Sequence, residues 1–332
     1  MRLAVDVMGA DQPASTLLQG VSLFYEKHPS CTFLLCGQQD VLEKELAVDK
    51  KLRAVSVISP APSFVSPTDK PSAALRLREN SSMWVALSSV ARGESQGAVS
   101  AGNTGAYLAL SRVILKTLVG IDRPAIISQL PTDRGESVML DLGGNLEASA
   151  QNLVNFAIMG NLFAQKILKI ERPSIGLLNV GSEGGKGTDS LQAACSMLKE
   201  RESLNFSGFI EGTDIAKGTV DVIVTDGFSG NIALKTGEGI MKMILGNLKS
   251  SLQSSFRGRL LGLVLRPVLQ NMKDKFDPRR YNGALWLGIN GVAVKSHGGT
   301  DSVGFAHALQ MAYDMVQQNV TQEIEEALSL FL

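Results

Sequence analysis

The sequence contains few of the residues on which metal and redox chemistry usually depend. Only three cysteines and three histidines occur among its 332 residues, and aromatic residues make up 5%. Cys31, Cys36 and Cys195 have neither metal-ligand nor redox-motif spacing. A sparse, odd-numbered set of this kind is typical of buried thiols in a reducing cytoplasm. The sequence therefore predicts no disulfide framework, no redox centre and no metal site.

The sequence also lacks an excess of either charge and any long hydrophobic run. Lysine and arginine total 32, as do aspartate and glutamate, so no global attraction to nucleic acid is expected. A membrane-spanning helix needs about 18 or more apolar residues in a row, and no such run is present. Met1-Arg2 is followed by three apolar residues before Asp6, which is too short for an export signal. We therefore expect a cytoplasmic protein that binds no nucleic acid.

Glycine, by contrast, is abundant, with 33 of the 332 residues. The N-terminal part alternates predicted strands, residues 3–7, 32–36 and 53–58, with predicted helices, residues 14–27 and 41–46. Strand–helix–strand alternation predicts a mainly parallel sheet with helices on both faces. Tight turns between these elements account for the glycine.

Glycine turns follow several predicted strands and precede helices. The clearest lies in residues 221–236, where a β-branched run leads into a turn at residues 227–230, with Ser229 as the expected N-cap of the next helix. The same order recurs at residues 8–11, 102–105 and 143–145. Helix N-termini behind such turns attract anions, although helix capping alone also explains each turn. Because ligands gather beyond the carboxyl ends of strands in α/β sheets, we expect these turns to converge on one small anion.

The most glycine-dense turn, residues 181–187, does not match a nucleotide-binding loop. A P-loop requires Gly-Lys followed by Ser or Thr, but Gly187 follows Lys186 here. No Gly-x-Gly-x-x-Gly fingerprint follows the first predicted strand either. A lysine flanked by glycines still suits a phosphate or a developing oxyanion, because the backbone there admits close approach.

Residues 239–273 contain no acidic residue, and six basic residues alternate there with leucine, valine and methionine. Pro267 divides the apolar part into two short predicted helices. Such a segment suits a membrane interface, an acidic protein partner or a dimer contact with snorkelling basic groups, and the sequence leaves the three open. We predict a projecting helical segment over residues 239–275. Its candidate contact residues are Arg257, Arg259, Leu261, Val264, Leu265 and Arg266.

An Asn-Gly turn joins two predicted strands, residues 284–290 and 291–295, which is a strong hairpin signal. His297 lies in the glycine turn after this hairpin and is a candidate for catalysis or phosphate contact. His28, at a predicted helix end, and His307, within a predicted helix, are expected to be structural.

A proline-rich loop, residues 59–71, precedes a helix predicted over residues 72–92. Four prolines in this loop exclude a regular element. The loop is either a rigid connector or a rim over a cleft.

Seven motifs follow one another along the chain: residues 5–11 (VDVMGAD), 100–106 (SAGNTGA), 122–125 (DRPA), 140–145 (LDLGGN), 208–212 (GFIEG), 226–232 (DGFSGNI) and 294–298 (VKSHG). Together they resemble the signatures of the bacterial phosphate acyltransferases, which make acyl-phosphate for phospholipid synthesis. The resemblance extends from residue 3 to about residue 310. An ordered set of motifs is far more specific than any single glycine turn.

The resemblance implies both a fold and a reaction. The fold would be a three-layer α/β/α sandwich with a largely parallel sheet, related to phosphotransacetylases and to isocitrate and isopropylmalate dehydrogenases. Residues 1–332 would form one catalytic unit, either undivided or as two lobes with a cleft between them. Inorganic phosphate would take the acyl group from a long-chain acyl-acyl-carrier protein, and the membrane glycerol-3-phosphate acyltransferase would consume the acyl-phosphate. The family works as a homodimer without a required metal or redox cofactor, and a peripheral association with the inner face of the membrane is expected.

This reaction indicates roles for the polar residues of the turns. The candidate catalytic residues are Lys186, Asp226, Asn231, Lys235 and His297. Lys186 and Lys235 would neutralise phosphate or the tetrahedral oxyanion, and Asn231 would orient the carbonyl. Asp226 would hold a lysine or His297 in place, and His297 would protonate the leaving thiolate. The candidate phosphate or acyl contacts are Asp6, Gly9, Gly102, Asn103, Thr104, Asn145, Gly227, Gly230 and Lys295.

Two alternatives come from other classes of protein. One is a short-chain phosphotransacylase that uses acyl-CoA, and the other is a non-catalytic membrane-binding scaffold. A competition between acetyl-CoA and palmitoyl-carrier protein separates the first from the main interpretation. The second requires that no thioester yields acyl-phosphate.

Overall fold

The computed structural model describes residues 1–275, 277 and 279–329, with side chains for all of these except residues 258, 259, 263, 271 and 273–275. The strands are β1 (Arg2–Asp6), β2 (Thr32–Gly37), β3 (Ser56–Pro60), β4 (Gly97–Ser100), β5 (Ala125–Thr132), β6 (Gly135–Leu140), β7 (Ser174–Leu178), β8 (Asn205–Ile210), β9 (Val222–Val224), β10 (Ala284–Leu287) and β11 (Val292–Lys295). The helices are α1 (Ala14–Lys27), α2 (Gln39–Val48), α3 (Lys50–Ala54), α4 (Pro71–Leu77), α5 (Ser82–Ala91), α6 (Thr104–Ile114), α7 (Ala150–Lys166), α8 (Asp189–Lys199), α9 (Gly212–Lys217), α10 (Gly227–Gln253), α11 (Phe256–Val264), α12 (Arg266–Lys275), α13 (Ser302–Gln317) and α14 (Val320–Ser329).

The described strands form one sheet in the order β3-β2-β1-β4-β11-β10-β5-β6-β9-β7-β8. The first five strands of this order are mutually parallel, as are the last four. Between them, β10 is antiparallel to β11 and to β5, and β5 is antiparallel to β6. Three reversals separate the two parallel groups, so the groups run in opposite directions. Their carboxyl ends therefore lie at opposite edges of the sheet.

Two apolar clusters cover the two faces of the sheet. One contains residues of α1, α7, α8, α13 and α14, and the other contains residues of α4, α5 and α6 together with Ala233 and Leu234 of α10. The strand residues alternate between the clusters, as the two-residue repeat of a strand requires. The predicted α/β/α sandwich with a largely parallel sheet is confirmed.

The structure confirms several predicted elements and corrects others. The predicted helix at residues 14–27 and the hairpin of β10 and β11 are present. The single helix predicted over residues 72–92 is wrong, because Arg78 has a φ of 44° and separates α4 from α5. Ser81 then caps α5 by accepting a hydrogen bond from the Trp84 N–H at 3.2 Å. A positive φ cannot continue a right-handed helix, and the sequence around Arg78 gave no glycine to signal it.

Candidate active site

Three polar side chains end three neighbouring parallel strands at one edge of the sheet. Asp6 ends β1, Ser100 ends β4 and Lys295 ends β11, and the register pairs Asp6 with Ser100 and Ser100 with Lys295. The residues two positions earlier in each strand belong to the apolar cluster under α6 and α10. Strand alternation therefore puts all three side chains on that face. We call this edge, with the turns that follow it, the Lys295 edge.

Burial shifts the pKa values of two side chains at the Lys295 edge, Asp6 and Lys295. Asp6 is 1% exposed, and the loss of hydration raises the pKa of its carboxyl, although Ser100 Oγ donates to Oδ2 at 2.6 Å. Lys295 is 8% exposed, and the same loss of hydration lowers its pKa to about 8, against the opposing attraction of Asp6 and Asp11. The Lys295 Nζ donates to the carbonyl of Ser296. A buried amine that exchanges its proton near neutral pH is typical of a functional site.

His297 lies in an exposed glycine turn beside Lys295. The Gly299 N–H donates to His297 Nδ1 at 3.1 Å, so a neutral His297 carries its proton on Nε2. The Asp11 N–H donates to the Gly298 carbonyl at 3.1 Å and ties the turn to the one after β1. A Cβ on Gly298 would lie 2.7 Å from Asp11 Oδ2, which explains the glycine. Among the described residues the His297 Nε2 has no hydrogen-bond partner, and it is placed to donate to a ligand.

The side chain of Asn103 forms its hydrogen bonds with backbone groups of the protein. Its Oδ1 accepts from the Ala106 N–H at 3.0 Å and caps α6. Its Nδ2 lies 2.8–3.2 Å from three carbonyl oxygens of the proline-rich loop, those of Ser66, Pro67 and Asp69. These carbonyls take up both amide hydrogens, so the predicted phosphate contact of Asn103 is left without a donor.

The proline-rich loop lies against two of the glycine turns. A Cβ on Gly9, whose φ is 71°, would lie 2.5 Å from the Val65 carbonyl oxygen. Gly102 is buried and its N–H donates to Ser100 Oγ at 3.1 Å, whereas Thr104 is exposed at the start of α6. The loop is thus a neighbour of the Lys295 edge, as its interpretation as a rim requires. Thr104 stays a candidate for ligand contact.

At the opposite edge, Asp141 organises the turn that follows β6. Its carboxylate accepts hydrogen bonds from the N–H groups of Ile126, Gly144 and Asn145 at 3.0, 3.0 and 2.6 Å. Asn145 Nδ2 donates to the same carboxylate at 2.8 Å and to the Pro124 carbonyl at 2.7 Å. Asn145, predicted as a substrate contact, therefore has internal partners for both amide hydrogens.

The first turn of α10 packs against this turn through two glycines. The Gly227 N–H donates to the Asn145 carbonyl at 2.8 Å, and a Cβ on Gly227 would lie 2.5 Å from the same oxygen. A Cβ on Gly230 would strike the carbonyl oxygen of Asp141. Both glycines act by allowing a close approach of backbones rather than by an observed ligand contact.

Asp226, and not Ser229, is the N-cap of α10. Its carboxylate accepts from the Ser229 N–H at 2.8 Å and from Ser229 Oγ at 2.9 Å. The predicted cap at Ser229 is wrong because the helix begins at Gly227, inside the predicted turn. A carboxylate thus already occupies the helix N-terminus at which we expected an anion. The strands β9 and β11 are four spacings of about 4.8 Å apart, roughly 19 Å, and they end at opposite edges of the sheet, so Asp226 cannot hold His297 directly.

Asn231 and Lys235 follow one and two turns into α10. The Asn231 side chain lies over Gly143, since a Cβ built there would be 3.4 Å from Asn231 Cγ. Among the described residues its amide makes no hydrogen bond. Lys235 is exposed, and with Phe228 (58% exposed) and Ile232 (50% exposed) it shares the face of Asn231, at the helical spacing of three and four residues. This face offers a free amide, a cation and apolar surface together.

Lys186 lies on the loop after β7, which is the neighbour of β9 in the sheet, and therefore at the same edge as Asp226. Its Nζ forms an exposed ion pair with Glu183 at 2.9 Å. The Asn179 Nδ2 donates to the Lys186 carbonyl at 2.9 Å and fixes the loop beneath it. A ligand at Lys186 would compete with Glu183 for its ammonium group.

The structure thus gathers the predicted residues into two groups on one face of the sheet. On that face α6 contacts β11 and α10 contacts β6, and β10 and β5 lie between them. Ala284 of β10 and Ser128 of β5 point to this face and are only half-buried. We call this strip, with its walls α6 and α10, the central groove. The expectation that all the turns share one hollow stays a prediction, and the central groove is the place where it would hold.

The segment predicted to project is helical and largely exposed. It consists of the second half of α10 with α11 and α12, and we call residues 239–275 the arm. Arg257, Leu261 (52% exposed), Val264 (71% exposed) and Arg266 are exposed, and Leu265 is half-buried. The side chain of Arg259 lies outside the described residues.

Three polar residues of these sites were not predicted. Ser100 and Asp11 belong to quoted motifs, and for Ser100 a polar side chain at the end of a buried strand was the available signal. Asp141 carried the same signal directly after β6. The four hydrogen bonds that it accepts come from residues up to 15 positions away, which no local pattern shows.

Other parts of the described chain hold none of the predicted site residues. A cavity of about 520 Å³ opens on the opposite face, lined by residues that include Arg134, Arg280, His307 and Asp314. Among the residues that the structure describes, no group of three or more His, Cys, Asp or Glu side chains is placed to hold a metal ion. No helix in this part of the chain is long and apolar enough to cross a membrane.

The fold is shared with solved structures of low sequence identity. A phosphotransacetylase from Streptococcus pyogenes superimposes with a TM-score of 0.65 at 16% identity, over 96% of this chain and 94% of that one. A branched-chain phosphotransacylase from Enterococcus faecalis gives 0.58 at 15% identity, over 95% and 99%. At these identities the likeness shows the fold alone.

Sequence comparison identifies the family. The family model described as "Fatty acid synthesis protein" matches residues 1–323. A phosphate acyltransferase from Rhodospirillum rubrum is 49% identical over 328 residues, which are 98% of this chain and 94% of that protein. One from Granulibacter bethesdensis is also 49% identical, over 98% and 89%. The resemblance found in the motifs is confirmed, and the chain belongs to the phosphate acyltransferase family, an acyltransferase family of fatty acid and lipid synthesis.

Proposed function

We propose that this chain transfers a long-chain acyl group from acyl-carrier protein to inorganic phosphate, giving acyl-phosphate for phosphatidic acid synthesis. The observation that carries the proposal is the 49% identity, over 98% of the chain, to a relative named phosphate acyltransferase. One face of α10 supports it, because that face offers the amide of Asn231 and the cation of Lys235 beside exposed apolar side chains.

The chemistry needs few proton transfers. A phosphate oxygen attacks the thioester carbonyl carbon and forms a tetrahedral oxyanion, whose collapse breaks the carbon–sulfur bond. Acyl-phosphate and the carrier thiolate are the products. Phosphate is already an anion, so positioning matters more than deprotonation. Asn231 would donate to the carbonyl oxygen, and Lys235, one turn further along α10, would balance the charge that develops there.

Acyl transfer requires the two groups of residues to meet across the central groove, where the Lys295 edge would hold the phosphate and receive the leaving group. Lys295 supplies a positive charge beneath the turns, and His297 Nε2 can donate either to phosphate or to the thiolate. Asp226 would act through its cap, by fixing the start of the helix that carries Asn231 and Lys235. Lys186 would help to neutralise the phosphate after release from Glu183.

The arm is the surface that we propose for contact with the partners. Its basic side chains suit an acidic acyl-carrier protein and also the anionic inner face of the membrane, where a glycerol-3-phosphate acyltransferase would take the product. Its exposed apolar side chains equally suit a second copy in a homodimer. We propose a cytoplasmic enzyme with peripheral membrane association, without a metal or redox cofactor.

The direct test is to supply the purified chain with phosphate and either palmitoyl-carrier protein or acetyl-CoA. Acyl-phosphate is trapped with hydroxylamine and measured as the hydroxamate. We expect product from the carrier thioester and, in competition, little effect of acetyl-CoA. A preference for acetyl-CoA would identify a short-chain phosphotransacylase instead. No product from any thioester would overturn the proposal in favour of a binding protein.

A further inference from the structure

The loop that carries His297 is held by a residue outside every motif. The His297 N–H donates to Asn282 Oδ1 at 2.9 Å. Asn282 Nδ2 lies 2.8 Å from Ser296 Oγ, 2.9 Å from Thr300 Oγ1 and 2.8 Å from the Gly304 carbonyl oxygen. One side chain therefore contacts the loop before, at and after His297, and also the first turn of α13.

The Asn282 contacts are reinforced by a second residue of the same segment. Arg279 Nη1 donates to Asp301 Oδ2 at 3.0 Å, and Asp301 is the N-cap of α13. The Asn282 N–H donates to the Arg279 carbonyl at 3.3 Å, which links the two. Both residues lie in the stretch that returns from the arm to β10. The loop of His297 is thus fastened to the chain at the base of the arm.

Elsewhere the loop is held by backbone hydrogen bonds, from the Asp11 N–H to the Gly298 carbonyl and from the Ser296 N–H to the Ser100 carbonyl. His297 is exposed, and its ring accepts only from the Gly299 N–H of its own turn. Without Asn282, the His297 N–H and the two hydroxyls would lose their shared partner, and only these backbone contacts would restrain the flexible glycines at 298 and 299. A displacement of about 1 Å in a catalytic group can cost roughly a hundredfold in rate.

We infer that Asn282 is a positioning residue that fixes the loop of residues 296–301 so that His297 Nε2 faces the substrate. It acts through His297 and does not itself touch the reacting atoms. The inference rests on the proposed function for its effect on rate, but not for its effect on the ring of His297.

The test compares the full-length Asn282→Ala and Asn282→Asp proteins with the wild type and with Asn205→Ala. Asn205 is a matched control, since its Nδ2 also donates to a backbone carbonyl, that of Arg172 at 3.2 Å, far from the loop. Acyl-phosphate kinetics give kcat and the KM for phosphate. The chain has only three histidines, so proton–carbon NMR of the imidazoles resolves His297 after assignment with His28→Gln and His307→Gln.

We expect Asn282→Ala to lower kcat roughly tenfold or more with KM for phosphate within about twofold, and to shift the His297 resonance alone. Asn282→Asp keeps the acceptor for the His297 N–H and can accept from both hydroxyls, but it loses the donor to the Gly304 carbonyl. It should recover part of the kcat that Asn282→Ala loses, and it should still move the His297 resonance, because a carboxylate replaces the amide beside the loop.

A wild-type kcat in Asn282→Ala, or an unchanged His297 resonance, would overturn the inference. If Asn282→Ala does not fold, Asn282→Asp decides, since a His297 resonance that does not move when the carboxylate replaces the amide also excludes the contact. If the wild type makes no acyl-phosphate, the proposed function fails while the NMR comparison still tests the position of His297.

Discussion

At the scale of single residues, burial and contact decide which of the predicted polar groups remain available. The Asn103 side-chain amide donates to backbone carbonyls, and that of Asn145 donates to a backbone carbonyl and to Asp141. Asn231 makes no hydrogen bond among the described residues, and Lys295 is buried with a lowered pKa. Only some of the polar groups in the motifs are therefore free to contact a ligand.

Lys295 makes stability depend on pH in a defined direction. The pKa of Lys295 is about 8 in the folded chain and near 10.4 in the unfolded chain. Below pH 8 the amine is charged in both states, and the whole cost of burying that charge lowers the free energy of unfolding. As pH rises from about 8 to 10, the folded state loses the proton first and the destabilisation is relieved. The free energy of unfolding should rise by up to about 1.4 kcal/mol per pH unit more in the wild type than in Lys295→Met. Urea unfolding at pH 7 to 10 measures this difference, and parallel curves would show that the amine is not perturbed.

Gly230 is required by a close backbone approach, whereas Gly237 in the same helix is not. A Cβ at position 230 would strike the Asp141 carbonyl oxygen, and one at position 237 would meet nothing within 4 Å. Gly230→Ala should therefore destabilise the protein by about 1–3 kcal/mol, the usual cost of overpacking. Gly237→Ala should stabilise it by up to about 1 kcal/mol through helix propensity. Equal midpoints of urea unfolding for the two variants would contradict the packing described here.

The sequence predicted which residue types lie in the turns but not how each is used. Gly227 and Gly230 were recognised as turn glycines, and the reason for them, the backbone at 141 and 145, lies about 85 residues earlier in the chain. Asn103 matched a capping pattern, and it does cap α6. Its contacts with the proline-rich loop depend on tertiary packing, which a local pattern does not contain.

At the scale of elements, α10 does two things. Its first two turns bring Asn231 and Lys235 to the central groove, and its remaining turns leave the body of the protein and begin the arm. The exposed apolar residues continue from one part to the other, with Ile240, Met243 and Ile244 each about half exposed. One helix therefore carries both the first part of the arm and two of the proposed catalytic residues.

The arm should contribute to membrane binding through its apolar side chains. Leu261→Glu introduces a negative charge on a side chain that is 52% exposed, and it should weaken binding to anionic vesicles in flotation. Val57→Glu is the matched control, because Val57 is equally exposed but lies on the edge strand β3. Undiminished flotation of the Leu261 variant would argue that the arm meets a protein rather than lipid.

Element boundaries were predicted best where local signals are strong. The helix at residues 14–27 has turn residues at both ends and was found as predicted. The Asn-Gly hairpin was also found, but β10 ends at Leu287, three residues before the predicted end at residue 290. The break at Arg78 was missed because arginine rarely adopts a positive φ, so the pattern predicted a continuous helix. The start of α10 was missed because Ser229 is as good a capping residue as Asp226, and the glycines between them suggested a turn.

At the scale of the whole molecule, the direction of the strands determines which turns meet. The motifs predicted a largely parallel α/β fold, but β10 and β5 introduce three antiparallel pairings between the two parallel groups, so the second group runs in the opposite direction. The pairing of β10 with β5 joins residues more than 150 positions apart, as in Trp286 with Ile126, and no local periodicity encodes it. As a result, the turns of the two groups follow strands that end at opposite edges of the sheet.

The central claim is that Asn231 and Lys235, on the wall of the central groove, serve acyl transfer to phosphate. The most direct test is the rate of acyl-phosphate formation from palmitoyl-carrier protein and phosphate by the double variant Asn231→Ala and Lys235→Ala. Lys217→Ala, another exposed lysine, serves as the control. The account predicts a loss of about a hundredfold or more in the double variant, with an unchanged circular dichroism spectrum and a wild-type rate in the control. A wild-type rate in the double variant would contradict it.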